Sequence, residues 1–315
     1  MFVPQYLSHH QINFLLWDKC IDNAMNTMPY AYSWYLNTVA PNAWDALVLG
    51  DYIAVMPLPK VIKWGIIPYL YQPYWVQQLG IFSTFALSDN LINDFLKKIP
   101  TEFKYIDIYL NEGNSFGIKQ AHTTVLERTN YLLSLHKPYQ KLYAAYNQNT
   151  RRNLRKAQQS NLYVEFDVSA SMLVQNYRKN VGDRQTMLKA EHYEQMESLI
   201  REAQKRQMAL TASVVDPNGR LHAAAFFMIT PRRIINLLPA STQLGRQSGA
   251  MFLLFDTVIK QYAQIPLLFD CEGSMTPSVA QFYAGFGCKP VIYPNLLSNT
   301  LPKWINWIYN KFKKP

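Results

Sequence analysis

The sequence predicts an α/β (α+β) chain of two units in tandem, each a mixed, mostly antiparallel sheet flanked by helices. Three observations carry this. The chain has 315 residues, enough for two domains of ordinary size. One order of segments occurs twice: helices, an antiparallel meander, a helix, then strands. The charge is divided unevenly. Residues 1–136 hold 8 basic and 10 acidic side chains, residues 137–233 hold 16 and 8, and residues 234–315 hold 7 and 3. The expected domains are therefore 1–136 and 137–315, the second facing something anionic. With 49% hydrophobic and 17% charged residues a disordered chain is excluded, and 14% aromatics imply a core built on rings.

The elements follow in order. After a short first strand, Ser8 is placed to cap a helix in which Ile12, Leu15, Leu16 and Cys20 recur at helical spacing. Tyr32 to Val39 reads as a short helix stopped by Pro41. Asp45 to Leu49 and Tyr52 to Pro57 flank Gly50-Asp51, a hairpin signal. Pro68 to Phe82 is β-rich, Ser88 starts a helix through Leu91, Ile92, Phe95 and Leu96, and Tyr105 to Leu110 and Thr124 to Leu135 are strands.

The second cycle opens with one basic helix, Leu142 to Gln159. Strand Tyr163 to Phe166 and helices Ala170 to Asn180 and Glu191 to Lys205 follow. Ala209 to Val215 and Leu221 to Ile229 are strands joined by Asp216-Pro-Asn-Gly219, a turn sequence. Arg233 to Leu238 is a third strand, Gly249 to Tyr262 a helix, Leu267 to Phe269 a strand, Val279 to Gly285 a helix and Pro290 to Tyr293 a strand. Leu301 to Phe312 is the last helix.

Three cysteines, Cys20, Cys271 and Cys288, show no paired spacing. That argues against a disulfide framework and for a reducing, cytoplasmic location. The N-terminus lacks the pattern of a signal peptide, and no run approaches the ~20 apolar residues that span a bilayer. No His, Asp, Glu or Cys set has metal-ligand spacing, so no metal is expected.

Two stretches carry chemistry. Gln243-Leu-Gly-Arg-Gln-Ser-Gly-Ala250 follows three strands and opens a helix. Its glycines allow close backbone approach, and a helix start offers N–H groups to phosphate. The alternative is a turn whose glycines serve packing. Phe269-Asp-Cys-Glu-Gly-Ser274 precedes the Phe282-Tyr283 helix. Asp270 and Glu272 alternate, which on one strand puts both on one face. A carboxylate there can deprotonate an amine, and a tyrosine can protonate a leaving thiolate. The alternative is capping by Asp270 or Glu272 and a core role for Phe282 and Tyr283.

The meander, the Arg246-x-x-Gly249-Ala250 helix, the strand and Ala280-x-x-Phe-Tyr-x-x-Phe-Gly287 together resemble the GNAT acyltransferase superfamily. The full phosphate-turn pattern is only partly kept. Asn149-Thr-Arg-Arg-Asn-Leu-Arg-Lys-Ala157, with Asp270-x-Glu-Gly-Ser274, resembles the FemABX-like transferases, which have two GNAT-like domains in tandem. The resemblance covers most of the chain, though the long helical hairpin of some members is not evident.

It implies an N-acyltransferase moving an acyl group from acyl-CoA (acetyl-CoA) to a small-molecule or peptide amine. Arg246, Gln247, Gly249 and Ala250 would hold the donor phosphates. Arg151, Arg152 and Arg155 pair with neighbours on shared helix faces and could add to that site; a solvated helix face is the alternative. Asp270 or Glu272 would be the base and Tyr283 the acid. The first domain would be the acceptor side, with a groove between the domains lined by Gln72, Tyr74, Trp75, Gln77 and Gln78; satisfied amides on a half-buried strand are the alternative. The rival expectations are an aminoacyl-tRNA-dependent transferase acting on a peptidoglycan precursor peptide, and a non-catalytic binding protein. The last helix, with Trp304, Trp307, Ile308 and Phe312 beside four lysines, is expected to pack on the first domain or touch an anionic membrane.

Overall fold

The computed structural model describes residues 3–63, 65, 67–114, 117–118, 123–182, 187–273 and 275–302. It has two compact units. One runs to Arg128 and takes up the chain again from Ile292; the other is Thr129–Val291. The division falls earlier than the charge boundary at residue 136. Charge changes at Lys137, but pairing has already assigned the chain to the second unit, because Leu132 to Ser134 lie opposite Asp270 to Leu268.

In the first unit, β1 (Gln5–Leu7), β2 (Trp44–Leu49), β3 (Ala54–Lys63) and β4 (Ile67–Tyr71) pair antiparallel in that order. β6 (Tyr105–Tyr109) joins β4 in parallel, and the chain returns as β14 (Lys289–Asn299), antiparallel to β6. β5 (Phe82–Ser83) pairs with β3.

Helix α1 (Phe14–Asn23) is started by Asn13, whose side chain accepts from Leu15 N and Leu16 N. Ser8 does not start it. The Ser8 N–H donates to Gln11 Oε1 at 2.9 Å around a single 3-10 turn, His9–Gln11. Helix α2 is Ser33–Val39, and α3 (Asp89–Lys97) has Ser88 as its cap, Asp89 in the first turn and Lys97 in the last. Both charges oppose the helix dipole favourably. The buried Ile92, Phe95 and Leu96 of α3 pack with Leu47, Met56, Leu58 and Leu70 of the strands.

In the second unit the strand order is β8 (Tyr163–Phe166), β9 (Ala209–Val215), β10 (Leu221–Ile229), β11 (Arg233–Asn236), β13 (Leu268–Asp270) and β7 (Thr123–Ser134). Every pairing is antiparallel except β11 with β13. The short β12 (Ala240–Ser241) pairs with β10 beyond the end of β11.

The expected single helix from Leu142 is two, α4 (Tyr139–Ala144) and α5 (Gln148–Gln159). Asn147 makes the break, since its side chain caps α5 through Thr150 N at 2.8 Å. Helices α6 (Ala170–Asn180) and α7 (Ala190–Lys205) pack against β9 and β10. Residues of α9 (Ala250–Gln261) and α10 (Pro277–Gly285) close a core with Leu154, Ala212, Val214, Phe227, Ile234 and Phe269. The expected last helix lies almost wholly outside the described residues. Among the described residues no helix is long and apolar enough to cross a membrane.

Candidate functional site

The site begins where two parallel neighbours part. β11 and β13 are paired from Arg233–Leu268 to Ile235–Asp270. Beyond that, Cys271 N turns to Tyr131 O of β7 at 3.0 Å. On the other side, Leu237 N and Leu238 N both reach Phe226 O of β10, at 3.0 and 3.3 Å. This local bulge carries the chain away from β13. Helix α8 (Gln243–Ser248), α9 and α10 then surround a pocket of about 650 Å³. Pro239, Ser241, Arg246, Phe252, Phe255, Val279 and Tyr283 are in its wall. That volume suits a small ligand or the end of a larger one.

Tyr283 forms its inner end. The residue is 6% exposed, stacked on Phe255 with centroids 6.2 Å apart. Burial raises its phenol pKa well above the usual value, and Cys271, Glu272 and Cys288 raise it further, while Asn236 acts in the opposite sense. The hydroxyl therefore stays protonated and can serve as a proton donor. Asn236 was not expected from the sequence. Its carboxamide is 1% exposed and lies beside the Tyr283 hydroxyl, and among the described residues neither Nδ2 nor Oδ1 has a well-aligned hydrogen-bond partner. A buried polar group left so costs about 1–3 kcal/mol. The only advance signal was an amide in an otherwise apolar strand, Arg233-Ile-Ile-Asn236.

Asp270 is not available as a base. It is fully buried, with Arg233 Nη1 on Oδ2 at 2.9 Å, and Asn130 Nδ2 and Glu272 N on Oδ1 at 3.0 and 2.9 Å. Both oxygens are committed, so the expectation that it takes the amine proton is corrected. The expectation that Asp270 and Glu272 share a strand face is corrected too. β13 ends at Asp270, and Glu272 sits in the left-handed region at φ 60°, followed by Gly273 at φ 53°. The turn that Asp270 accepts from Glu272 N ends the alternation. Glu272 is half-buried and close enough to Tyr283 to raise its pKa.

The glycine stretch is not an open loop. Thr242 caps α8 through Gly245 N at 3.0 Å, so residues 243–248 are helical. Gly249 closes α8 and opens α9 with φ 76°. A Cβ on Gly249 would lie 2.6 Å from Asn153 O of α5, and one on Gly245 1.8 Å from His222 O of β10. Both glycines therefore admit protein backbone on one side, the packing alternative for this turn, and both also stand in the pocket wall. What remains for an anion is the N-terminus of α9, from Ala250, and the exposed Arg246, whose Nη1 rests on Ser241 O at 2.7 Å. Gln247 is exposed and not in the pocket wall.

On α5 the arginines divide. Arg151 is half-buried, with Nη2 on Ala144 O at 2.7 Å at the end of α4 and its guanidinium over the Tyr143 ring. That is a helix-capping role. Arg152 and Arg155 are exposed and, with Gln148 and Asn149, line a separate pocket of about 230 Å³. Cys271 and Cys288 also meet, their sulfurs 3.6 Å apart as buried thiols, a proximity the spacing did not reveal.

In the first unit, β4 stops at Tyr71 and the expected strand to Phe82 is a loop. Gln72 Oε1 accepts from Tyr109 N at 3.0 Å and its Nε2 donates to Val76 O at 3.1 Å. Gln78 is fully buried, accepting from Glu112 N at 3.0 Å and donating to Gln77 Oε1 at 2.9 Å. The carboxamides of Gln72 and Gln78 hold the loop, which corrects their assignment as ligand groups. Tyr74, Trp75 and Gln77 are half-buried, and the Trp75 carbonyl accepts from the Tyr35 hydroxyl.

No protein-family model matches the sequence, and no curated protein matches it. Solved structures do. FemX superposes with a TM-score of 0.66 at 12% identity, over 97% of this chain and 99% of that one. The chain has the fold of FemX. Two more FemX-like matches are L-PGS from Bacillus licheniformis (TM-score 0.57, 11% identity, 94% and 95% covered) and a conserved protein of unknown function from Bacteroides thetaiotaomicron (0.56, 9%, 95% and 100%). At such identities the likeness concerns fold alone. Within this FemX-like fold, the pocket lies wholly in the second unit.

Proposed function

We propose that the second unit is an acyltransferase, moving an acyl group from acyl-CoA to an amine acceptor. The observation that carries this is the pocket walled by α8, α9 and α10, with a buried, protonated tyrosine in its wall. An acyl thioester entering there meets two backbone donors at the bulge. Leu237 and Leu238 share one acceptor, Phe226 O, and the longer bond, from Leu238, is the one a thioester carbonyl can recruit. The amine attacks that carbonyl carbon and loses a proton, through water, to Glu272. As the C–S bond breaks, Tyr283 gives its proton to the thiolate, and the proton taken up by Glu272 returns through water to the tyrosine phenolate, so no net charge is left in the buried site. Arg246 and the first N–H groups of α9, from Ala250, would hold the donor phosphates. Tyr74, Trp75 and Gln77 remain the proposed acceptor contacts.

Calorimetric titration of acetyl-CoA tests the donor. Binding is expected in the native protein and lost in Ser278→Trp, which fills the mouth from an exposed position. Equal binding by both would overturn the assigned pocket. A second reading, transfer from aminoacyl-tRNA, is favoured by one observation. Arg152 and Arg155 lie exposed outside the pocket, as a longer polyanion would require. Its mark would be tRNA binding with a steep salt dependence.

A further inference from the structure

We propose that Asn236 reads the acyl group of the donor, favouring one with a hydrogen-bond donor on the carbon next to its carbonyl. This rests on the acyl-transfer reading above. On β11, Asn236 is the cross-strand partner of Phe227, and two residues along from Ile234. Side chains at such positions share one face of the sheet. Phe227 and Ile234 belong to the core that includes Phe255 and Tyr283, and Phe227 lies 6.1 Å from Phe255, centroid to centroid. Phe255 and Tyr283 are also in the pocket wall. The Asn236 carboxamide is thus aimed at the inner end of the pocket, beside the tyrosine proposed to act on the leaving group.

The chemistry of the missing partner follows from the carboxamide. It offers donors at Nδ2 and an acceptor at Oδ1, side by side. A plain acetyl group would satisfy Nδ2 through its carbonyl and leave Oδ1 unmet. A hydroxyl or amino group on the adjacent carbon would satisfy both. Buried amides elsewhere in the molecule are met by protein: Asn114 Oδ1 takes Ile81 N at 2.9 Å and its Nδ2 donates to Ile81 O at 3.0 Å. Asn236 differs: its carboxamide lies beside the Tyr283 hydroxyl of the pocket wall, and among the described residues neither of its polar atoms has a well-aligned hydrogen-bond partner.

Two probe pairs test this by calorimetry on the full chain: acetyl-CoA with glycolyl-CoA, and 3′-acetamido- with 3′-glycylamido-3′-deoxyadenosine. Each pair differs by one polar group beside the carbonyl. The native protein is expected to bind the polar member of at least one pair about tenfold more tightly, as one buried hydrogen bond supports. Asn236→Leu, of similar shape, is expected to bind both members alike; should it fail to fold, Asn236→Ser gives the same comparison. Binding without preference, or a preference that survives the substitution, overturns the reader role and leaves acyl transfer standing. No binding by either pair overturns both.

Discussion

The buried amides of the first unit and Asn236 of the second are treated in opposite ways. In the first, Asn111 accepts at Oδ1 from Asn26 Nδ2 (2.9 Å) and Gly113 N (2.9 Å), and donates from Nδ2 to Leu79 O and Ile81 O at 2.8 and 3.1 Å. Asn114, Gln72 and Gln78 are similarly engaged. There the amides replace strand pairing and hold a loop. In the second unit Asn236 is equally buried but, among the described residues, has no well-aligned partner; it lies beside a tyrosine held protonated in the wall of a pocket of about 650 Å³. The difference separates structure from function: a satisfied amide specifies a fold, whereas an unsatisfied one beside a cavity awaits something else.

The sharpest way to break this comparison is at the pocket's inner end. Tyr283→Phe is expected to lower acyl transfer by roughly 10²- to 10⁴-fold, the usual contribution of a positioned general acid. Donor binding and thermal unfolding should change little, since the ring and its contact with Phe255 remain. A variant with unaltered turnover would remove Tyr283 from the chemistry.

Next comes a paired substitution. Asn111→Ala strands several backbone groups in the first unit and is expected to cost about 3 kcal/mol in denaturant unfolding. Asn236→Leu removes a poorly aligned amide beside the Tyr283 hydroxyl, which also faces the pocket, and should stay within about 1 kcal/mol of the native protein, or stabilise it. Equal losses at both sites would mean that Asn236 has a structural partner after all.

Much of the fold was legible because hydrophobic period and turn chemistry agree. Tyr163–Phe166, Ala170–Asn180, Ala209–Val215 and Leu221–Ile229 fall where the pattern puts them. The failures share a cause, a polar side chain doing backbone work. Asn13, Asn147 and Thr242 cap helices whose starts composition alone does not mark. Gln72 and Gln78 take ladder bonds that end a strand. The site was legible at Tyr283, which stands on a recognisable helix. It was illegible at Asp270, because the arginine that neutralises it, Arg233, lies 37 residues away in sequence. It was illegible at Gly249 because only packing shows that Asn153 O approaches it on one side while the pocket lies on another.

Alkaline titration gives a smaller, cumulative effect. Tyr6 and Tyr32 in the first unit, and Tyr139, Tyr146 and Tyr283 in the second, all have raised phenol pKa values, burial being the largest cause in each. A group whose folded pKa lies above its unfolded value contributes stability that is intact below the unfolded pKa and lost as pH rises beyond it. Stability set by these tyrosines should thus be flat to about pH 10 and then fall by roughly 1.4 kcal/mol per pH unit for each one still protonated in the folded state. Replacing Tyr283 by Phe should make the decline shallower by one such increment. An unchanged slope would show that Tyr283 ionises as an exposed tyrosine does.

The smallest effect concerns the surface charge of the second unit. Much of its basic excess is engaged: Arg233 by Asp270, Arg201 by Glu197, Lys205 by Glu202, and Arg151 by the end of α4. Arg152 and Arg155 are exposed on α5, and changing both to Ala should move stability by no more than about 0.5 kcal/mol. Acetyl-CoA affinity should change less than about twofold, because neither residue is in the pocket wall and exposed charges contribute little. Transfer RNA, measured across a salt series, would respond differently. If it is the donor, the double variant should lose affinity, and the slope of log affinity against log salt should become shallower by about 1.4 to 1.8, two phosphate contacts' worth. A changed slope beside unchanged acetyl-CoA binding would move the second unit's charge from general solubility to recognition of a polyanionic donor.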